Sequence, residues 1–228
     1  MPSAVELSRR YLRLQTGDVN GALTVLKEET QMLSLRIKPL RRGTKCAGVA
    51  VTWHAVLANH DPIPRKQEPY DRWLKIWEHI YPGSVLVYQP GGESSSGHLG
   101  NLYSNMVAAR GAVGAIVDGN LRDSDAHERI LRWAPFSRGT SPLEAAPRLK
   151  WMSPNTPILM SGEMRTWIEV FPGDFAFGDG DGVIIIPKRL ILPVLQQAES
   201  TSRKEVHAEK AYAAGKDPDK VMKKYGVA

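Results

Sequence analysis

Apolar positions change their period several times along the chain, and each change predicts an element. Residues 3–28 carry helical spacing with a break near TGDVNG. KCAGVAVTWHAV (45–56) is a β-branched, apolar run that predicts a strand. YDRWLKIWEHI (70–80) spaces Trp73, Ile76, Trp77 and Ile80 along one face of a helix. PGSVLVYQP predicts a strand that ends in the glycine-rich run GGESSSGHLG. Leu99, Leu102, Met106 and Ala109 then mark a helix that stops at Gly111. AVGAIVDG is the next strand, and SDAHERILRW a helix capped by Asp123 or Ser124.

Beyond WAPFSRGTSP the pattern shortens. TPILMSG, WIEVF, DFAFGD and GVIIIPK read as short strands separated by Pro-Gly and Asp-Gly pairs, which favour tight turns. A long helix from about Arg189 to Ala214 follows, and then a polar tail. Alternating β and α first, a β-rich second half and a terminal helix predict one α/β domain with stacked sheets. GDGDG (178–182) resembles a calcium loop only superficially, because VIIIPK follows where an EF-hand needs further ligands and a closing glutamate. A hairpin turn is the expectation.

Bulk properties then exclude several classes. At 228 residues the chain is long enough for a sizeable core. No apolar run is long enough to span a bilayer, so no membrane association is expected, and the N-terminus lacks the apolar stretch of a signal peptide. The single cysteine, Cys46, rules out an internal disulfide framework and a Cys-based zinc site within one chain, and fits a reducing cytoplasm. The net charge of +6 is scattered, apart from KPLRR at 38–42 and the tail. Without interleaved aromatics it predicts a solvated basic surface that attracts small anions rather than nucleic acid.

Two segments carry candidate chemistry. SSSGHLGNLYSNM is a glycine-rich turn opening a helix, where free N–H groups and the bare Gly97 and Gly100 would make an anion pocket. The same residues also suit a plain strand-to-helix turn. DGNLRD pairs a planar two-pronged donor, Arg122, with a hard oxygen ligand, Asp123, suited to Mg²⁺. An ordinary Arg–Asp ion pair beside a helix cap is the competing reading.

Taken together, GNLYSNMVAARGAVGAIVDGNLRD resembles the shared core of the family containing regulator of ribonuclease activity A and the 4-hydroxy-4-methyl-2-oxoglutarate aldolases. The resemblance extends through IKPLRRGTKCAGVAVT, PGSVLVYQP, PILMSGEM and PGDFAFGDGDGVIIIPK. It implies a swivelling β/β/α three-layer domain with a C-terminal helix. Residues 1–228 would form a single domain, with its core at about 20–215 and the C-terminal helix and tail at 189–228. It also implies a homotrimer or homohexamer with sites at subunit contacts.

Carried over by residue, the resemblance gives Arg122 the 2-keto acid substrate and Asp123 a Mg²⁺ or Mn²⁺ ion, partly through waters. Gly100 and the amides of Asn101, Leu102 and Tyr103 would hold the substrate carboxylate, with His98 alongside. Glu205, with Glu209 in reserve, would reach a neighbouring subunit's site from the C-terminal helix. The aldolases have an acid where this chain has Asn101, which cannot take up a proton near neutral pH. His98 and Tyr103 are candidate replacements. The implied activity is metal-dependent cleavage of a carbon–carbon bond next to a 2-keto acid, as a pyruvate-releasing aldolase, an oxaloacetate decarboxylase or both. A non-enzymatic ribonuclease regulator and a lyase or hydratase of sugar-derived keto acids are the alternatives.

Overall fold

A computed structural model of the protein describes residues 2–58 and 75–226. The predicted helix at 70–80 lies partly outside them, Trp73 included; its described part is α3 (Ile76–His79), preceded by α1 (Ala4–Tyr11) and α2 (Thr16–Val25). The break between the two helices thus falls at residues 12–15, and TGDVNG begins α2 rather than interrupting a helix. The reason is local: Asp18 turns its carboxylate back onto the Gln15 amide and closes a capping box around the start of the helix.

The strands are β1 (Lys38–Pro39), β2 (Cys46–Leu57), β3 (Ser84–Gln89), β4 (Gly97–Leu99), β5 (Gly114–Val117), β6 (Asn120–Leu121), β7 (Ala134–Ser137), β8 (Gly139–Thr140), β9 (Leu149–Trp151), β10 (Ile158–Ser161), β11 (Trp167–Val170), β12 (Phe175–Gly178) and β13 (Val183–Ile186). The remaining helices are α4 (Asn101–Ala109), α5 (Ser124–His127), α6 (Ile191–Ala213) and α7 (Pro218–Tyr225). The main sheet runs β1-β7-β5-β3-β2-β12-β13, with β9 added to the end of β2. Strands β2, β3, β5 and β7 are parallel neighbours. GDGDG is the β12–β13 hairpin turn, as expected.

The continuous apolar runs in β3 and β5 follow from burial on both faces of the parallel sheet. Ala50, Val85, Val87 and Ile116 pack against Ile158, Met160, Ile168 and Val170 of the β10–β11 hairpin. The alternate residues Val51, Trp53, Leu86, Tyr88, Ala115 and Val117 pack with Tyr103 and Val107 of α4. At the β12–β13 end, Phe175, Phe177, Ile184 and Ile186 are covered by α1, α2 and α6. Hairpin, sheet and helices make the three-layer β/β/α arrangement, with the long C-terminal helix in its outer layer.

One topological feature positions the functional residues. Strands β3, β5 and β7 each continue into a strand of a second, all-parallel sheet, β4, β6 and β8, ordered β4-β6-β8. The loops that follow these short strands therefore emerge side by side. Gly114 lets the parallel strands below them approach closely. A Cβ there would meet the Ala134 carbonyl and lie 2.6 Å from the Cys46 sulfur. Cys46 is itself buried, its thiol pushed up to about 12 by desolvation. Gly114→Ala should lower stability by about 1–3 kcal/mol through overpacking. Chemical denaturation checks this, and an unchanged midpoint would contradict the close packing.

Candidate functional site

The turn after β6 carries Arg122 and Asp123, and the turn after β4 carries Gly100 at the start of α4. Backbone bonds tie the three short strands together at this end: Arg122 N donates to Leu99 O at 3.2 Å and Ser141 N to Leu121 O at 2.8 Å. Side-chain space is minimal. A Cβ at Gly97 would meet the Ser141 carbonyl and lie 2.7 Å from Arg122 Cβ. Gly97 is therefore required by the approach of neighbouring backbone and side chains.

Asp123 stands at φ 60°, ψ 44°, in the left-handed region. Asp tolerates that region better than most residues, at a cost of about 1–2 kcal/mol. The conformation turns its carboxylate away from its own helix, so Asp123 occupies the N-cap position of α5 without capping it. Instead Oδ2 accepts the Asn101 amide at 3.0 Å. Oδ1 lies 3.7 Å from Arg122 Nε. Gly100 sits beneath both: a Cβ there would fall 2.8 Å from Asp123 Oδ2 and 3.4 Å from the Arg122 guanidinium. The two segments singled out in the sequence thus meet, and a helix start, an arginine and a carboxylate share one small surface.

The other charged residues of the turn have different tasks. Asp118 is buried, accepts Arg138 Nε at 2.6 Å and Ser161 N at 2.8 Å, and pins the end of β5 to the β7–β8 connection and the β10–β11 hairpin. Asp125 lies in the first turn of α5 and is exposed. Only Arg122 and Asp123 point to the helix start.

Several expected site residues lie elsewhere. His98 is fully buried as a side chain, with Nε2 3.0 Å from the Glu93 carbonyl and 3.2 Å from its carboxylate. Burial lowers its pKa despite that carboxylate. Glu93, pushed up by burial, is pulled below its ordinary value by donation from Ser95 and Ser96. Tyr103 is buried and stacks 5.9 Å from Trp53, which raises its hydroxyl pKa by desolvation. Both side chains belong to the interior. Asn101 Oδ1 accepts Asn105 Nδ2 at 2.8 Å, so its amide nitrogen is the group left to face outward. Leu102 is 85% exposed. Glu205 and Glu209 lie on α6, remote in the chain from the turn. The Glu205 carboxyl is raised by burial and then by its hydrogen bond with Asp18 of α2.

Sequence reading missed His127 and Trp133. The indole Nε1 of Trp133 donates to His127 Nδ1 at 3.0 Å, and His127 Nε2 lies 3.0 Å from the Arg122 carbonyl. The only available signal was the spacing of a histidine and a tryptophan after Asp123.

No group of three His, Cys, Asp or Glu gathers among the described residues. The donor set is one exposed carboxylate, that of Asp123, beside a Gly100 surface without a side chain. That suits Mg²⁺, which keeps several waters and takes one or two carboxylates, and does not suit zinc.

Comparison with known proteins identifies relatives of the chain and of its fold. A Halalkalibacterium halodurans protein provisionally named 4-hydroxy-4-methyl-2-oxoglutarate aldolase is 29% identical over 207 residues, covering 91% of this chain and 89% of that one. Streptomyces coelicolor RraAS2, described as an unusual member of the RNase ES inhibitor RraA protein family, superposes with a TM-score of 0.73 at 23% identity, over 91% of this chain and 97% of that one. An uncharacterized protein from Pseudomonas syringae reaches 0.79 at 23% identity, over 97% and 98%. The family model RraA-like: Aldolase/RraA matches residues 16–185, which contain every described strand up to Ile185. The chain belongs to the RraA-like (Aldolase/RraA) family.

Proposed function

We propose that this protein is a Mg²⁺- or Mn²⁺-dependent lyase that breaks a carbon–carbon bond next to a 2-keto acid. The observation that carries the reading is the convergence of Arg122, Asp123 and the start of α4 over Gly100. The name of the Halalkalibacterium relative supports the same class of substrate. In this reading the Asn101 amide is engaged with Asp123, so the substrate carboxylate falls to the next amide, Leu102, and to the Arg122 guanidinium. Arg122 would also stabilise the negative oxygen that develops when the bond breaks. A metal on Asp123 would supply Lewis-acid stabilisation of that charge. Gly100 keeps the surface bare enough for a small planar acid to lie against it.

The proton step distinguishes two substrates. Retro-aldol cleavage needs a base to take the proton of the C4 hydroxyl, which becomes the carbonyl of the released fragment, whereas loss of CO₂ from oxaloacetate needs none. In decarboxylation the C3–C4 electron pair passes into the enolate, CO₂ leaves, and C3 then takes a proton to give pyruvate. Asn101 offers no base, and the side chains of His98 and Tyr103 are buried. We therefore favour decarboxylation. The complete site is proposed to lie in a trimer or a multiple of one, with Glu205 or Glu209 supplied by a neighbouring copy. Asn101 and the likeness to RraAS2 favour a second reading, a non-catalytic regulator of a ribonuclease. A protein that binds Mn²⁺ but releases no pyruvate from any 4-hydroxy-2-keto acid or oxaloacetate would favour that one. Turnover of a sugar-derived keto acid alone would instead indicate the related lyase or hydratase.

Asp123→Asn should abolish Mn²⁺ binding by electron paramagnetic resonance and reduce turnover at least about 100-fold. Stability should change by less than about 1 kcal/mol, because Asn Oδ1 still accepts the Asn101 amide. Retained Mn²⁺ affinity would place the metal elsewhere. Asn101→Asp should raise kcat/KM for 4-hydroxy-4-methyl-2-oxoglutarate relative to oxaloacetate by about 10²- to 10⁴-fold, the usual range of a general base. An unchanged ratio would show that another group handles the proton.

A further inference from the structure

Asp123 and Arg122 stand on a turn that a non-glycine residue holds at positive φ, and something must keep it there. The carbonyl of Arg122 belongs to the peptide plane whose rotation sets the φ of Asp123. A group that fixes this oxygen fixes the direction of the Asp123 carboxylate. His127 does so from below the turn. It is 1% exposed, and its Nε2 lies 3.0 Å from the Arg122 oxygen.

The neighbour across the ring decides the tautomer. An indole nitrogen can only donate, so Trp133 Nε1 at 3.0 Å makes His127 Nδ1 an acceptor and places the ring proton on Nε2. That N–H donates to the Arg122 carbonyl and also faces the carbonyl of Leu99, the last residue of β4. The rings of His127 and Trp133 lie edge to edge, with centroids 6.5 Å and planes 27° apart, an arrangement that suits the N–H···N bond between them. The main-chain amide of His127 adds a bond to the Asp123 carbonyl at 3.3 Å.

We propose that His127, oriented by Trp133, is a positioning residue for the Arg122–Asp123 pair. It locks the peptide between them and ties that turn to the strand leading into Gly100. His127 touches no substrate; it acts by keeping the carboxylate on the Asn101 amide and the guanidinium over Gly100. The proposal rests on the lyase reading of the site, and its test separates the two.

Three variants suffice. His127→Gln keeps an N–H near the position of Nε2, His127→Leu removes the donor while filling similar space, and Trp133→Phe removes the orienting indole N–H. Both His127 variants lose the bond from Trp133, so their melting temperatures should fall together. Their kinetics should part: His127→Leu should lose about 10- to 100-fold in kcat/KM for the keto acid, as for other supporting residues, while His127→Gln recovers most of it. Equal losses in the two would overturn the proposal. A wild type inactive on every keto acid would count against the lyase reading alone, so the clamp is also read without substrate. In His127→Leu and Trp133→Phe the amides of Arg122 and Asn101 should exchange hydrogen about tenfold faster, while those of β3 stay at the wild-type rate. Wild-type exchange at Arg122 and Asn101 in both variants overturns the proposal, even if a variant folds poorly enough to spoil the kinetics.

Discussion

The hydrogen bond from the Asn101 amide to Asp123 Oδ2, 3.0 Å long, joins the two chain segments on which the site depends. One is the entry to a helix; the other is a left-handed turn 22 residues later. Each would be unremarkable alone. Joined, they place a carboxylate, a guanidinium and a helix start over one glycine, at Arg122, Asp123 and Gly100. A left-handed aspartate costs about 1–2 kcal/mol, and a single good hydrogen bond to a charged group offsets that amount.

The scaffold explains why these segments meet. Three parallel strands of the main sheet each run on into a strand of the smaller sheet, so neighbours at the bottom remain neighbours at the top. Ligands of open α/β sheets commonly bind beyond the carboxyl ends of such strands. Here the small sheet carries that edge outward by two or three residues per strand and ends in the site. Buried Asp118, paired with Arg138 and the Ser161 amide, secures the base of the same edge to the hairpin layer.

Much of this was legible in the sequence because it rests on local rules. The apolar runs of β2, β3 and β5, the helix that stops near Gly111, the four late strands and the long terminal helix all show in hydrophobic period and turn residues, although Leu99, spaced as part of that helix, ends β4 instead. The Arg122–Asp123 pair and the glycine-rich turn were both identified as chemistry. What escaped reading were elements too short for a period, such as β4, β6 and β8, and segments whose meaning is tertiary. TGDVNG looks like a break but starts α2, because Asp18 closes its cap and Asp179 accepts the amide and hydroxyl of Thr16. The polar tail contains α7, held by Val221 against Ala208 and Ala211 of α6. The carboxylates near β5 resembled one another in sequence and separate only in space, Asp118 into an ion pair and Asp123 into the site. His127 gave no sign of its role, since its partners are a carbonyl and an indole.

The central claim is that Arg122, Asp123 and the start of α4 form one binding surface for a small planar keto acid and a divalent ion. A crystal structure with Mg²⁺ and oxalate, a stable mimic of the enolate of pyruvate, tests it most directly. The account predicts oxalate between the Arg122 guanidinium and the Leu102 amide above Gly100, with the metal on Asp123 Oδ1. Oxalate and metal bound elsewhere, with the Arg122–Asp123 turn unchanged, would contradict it.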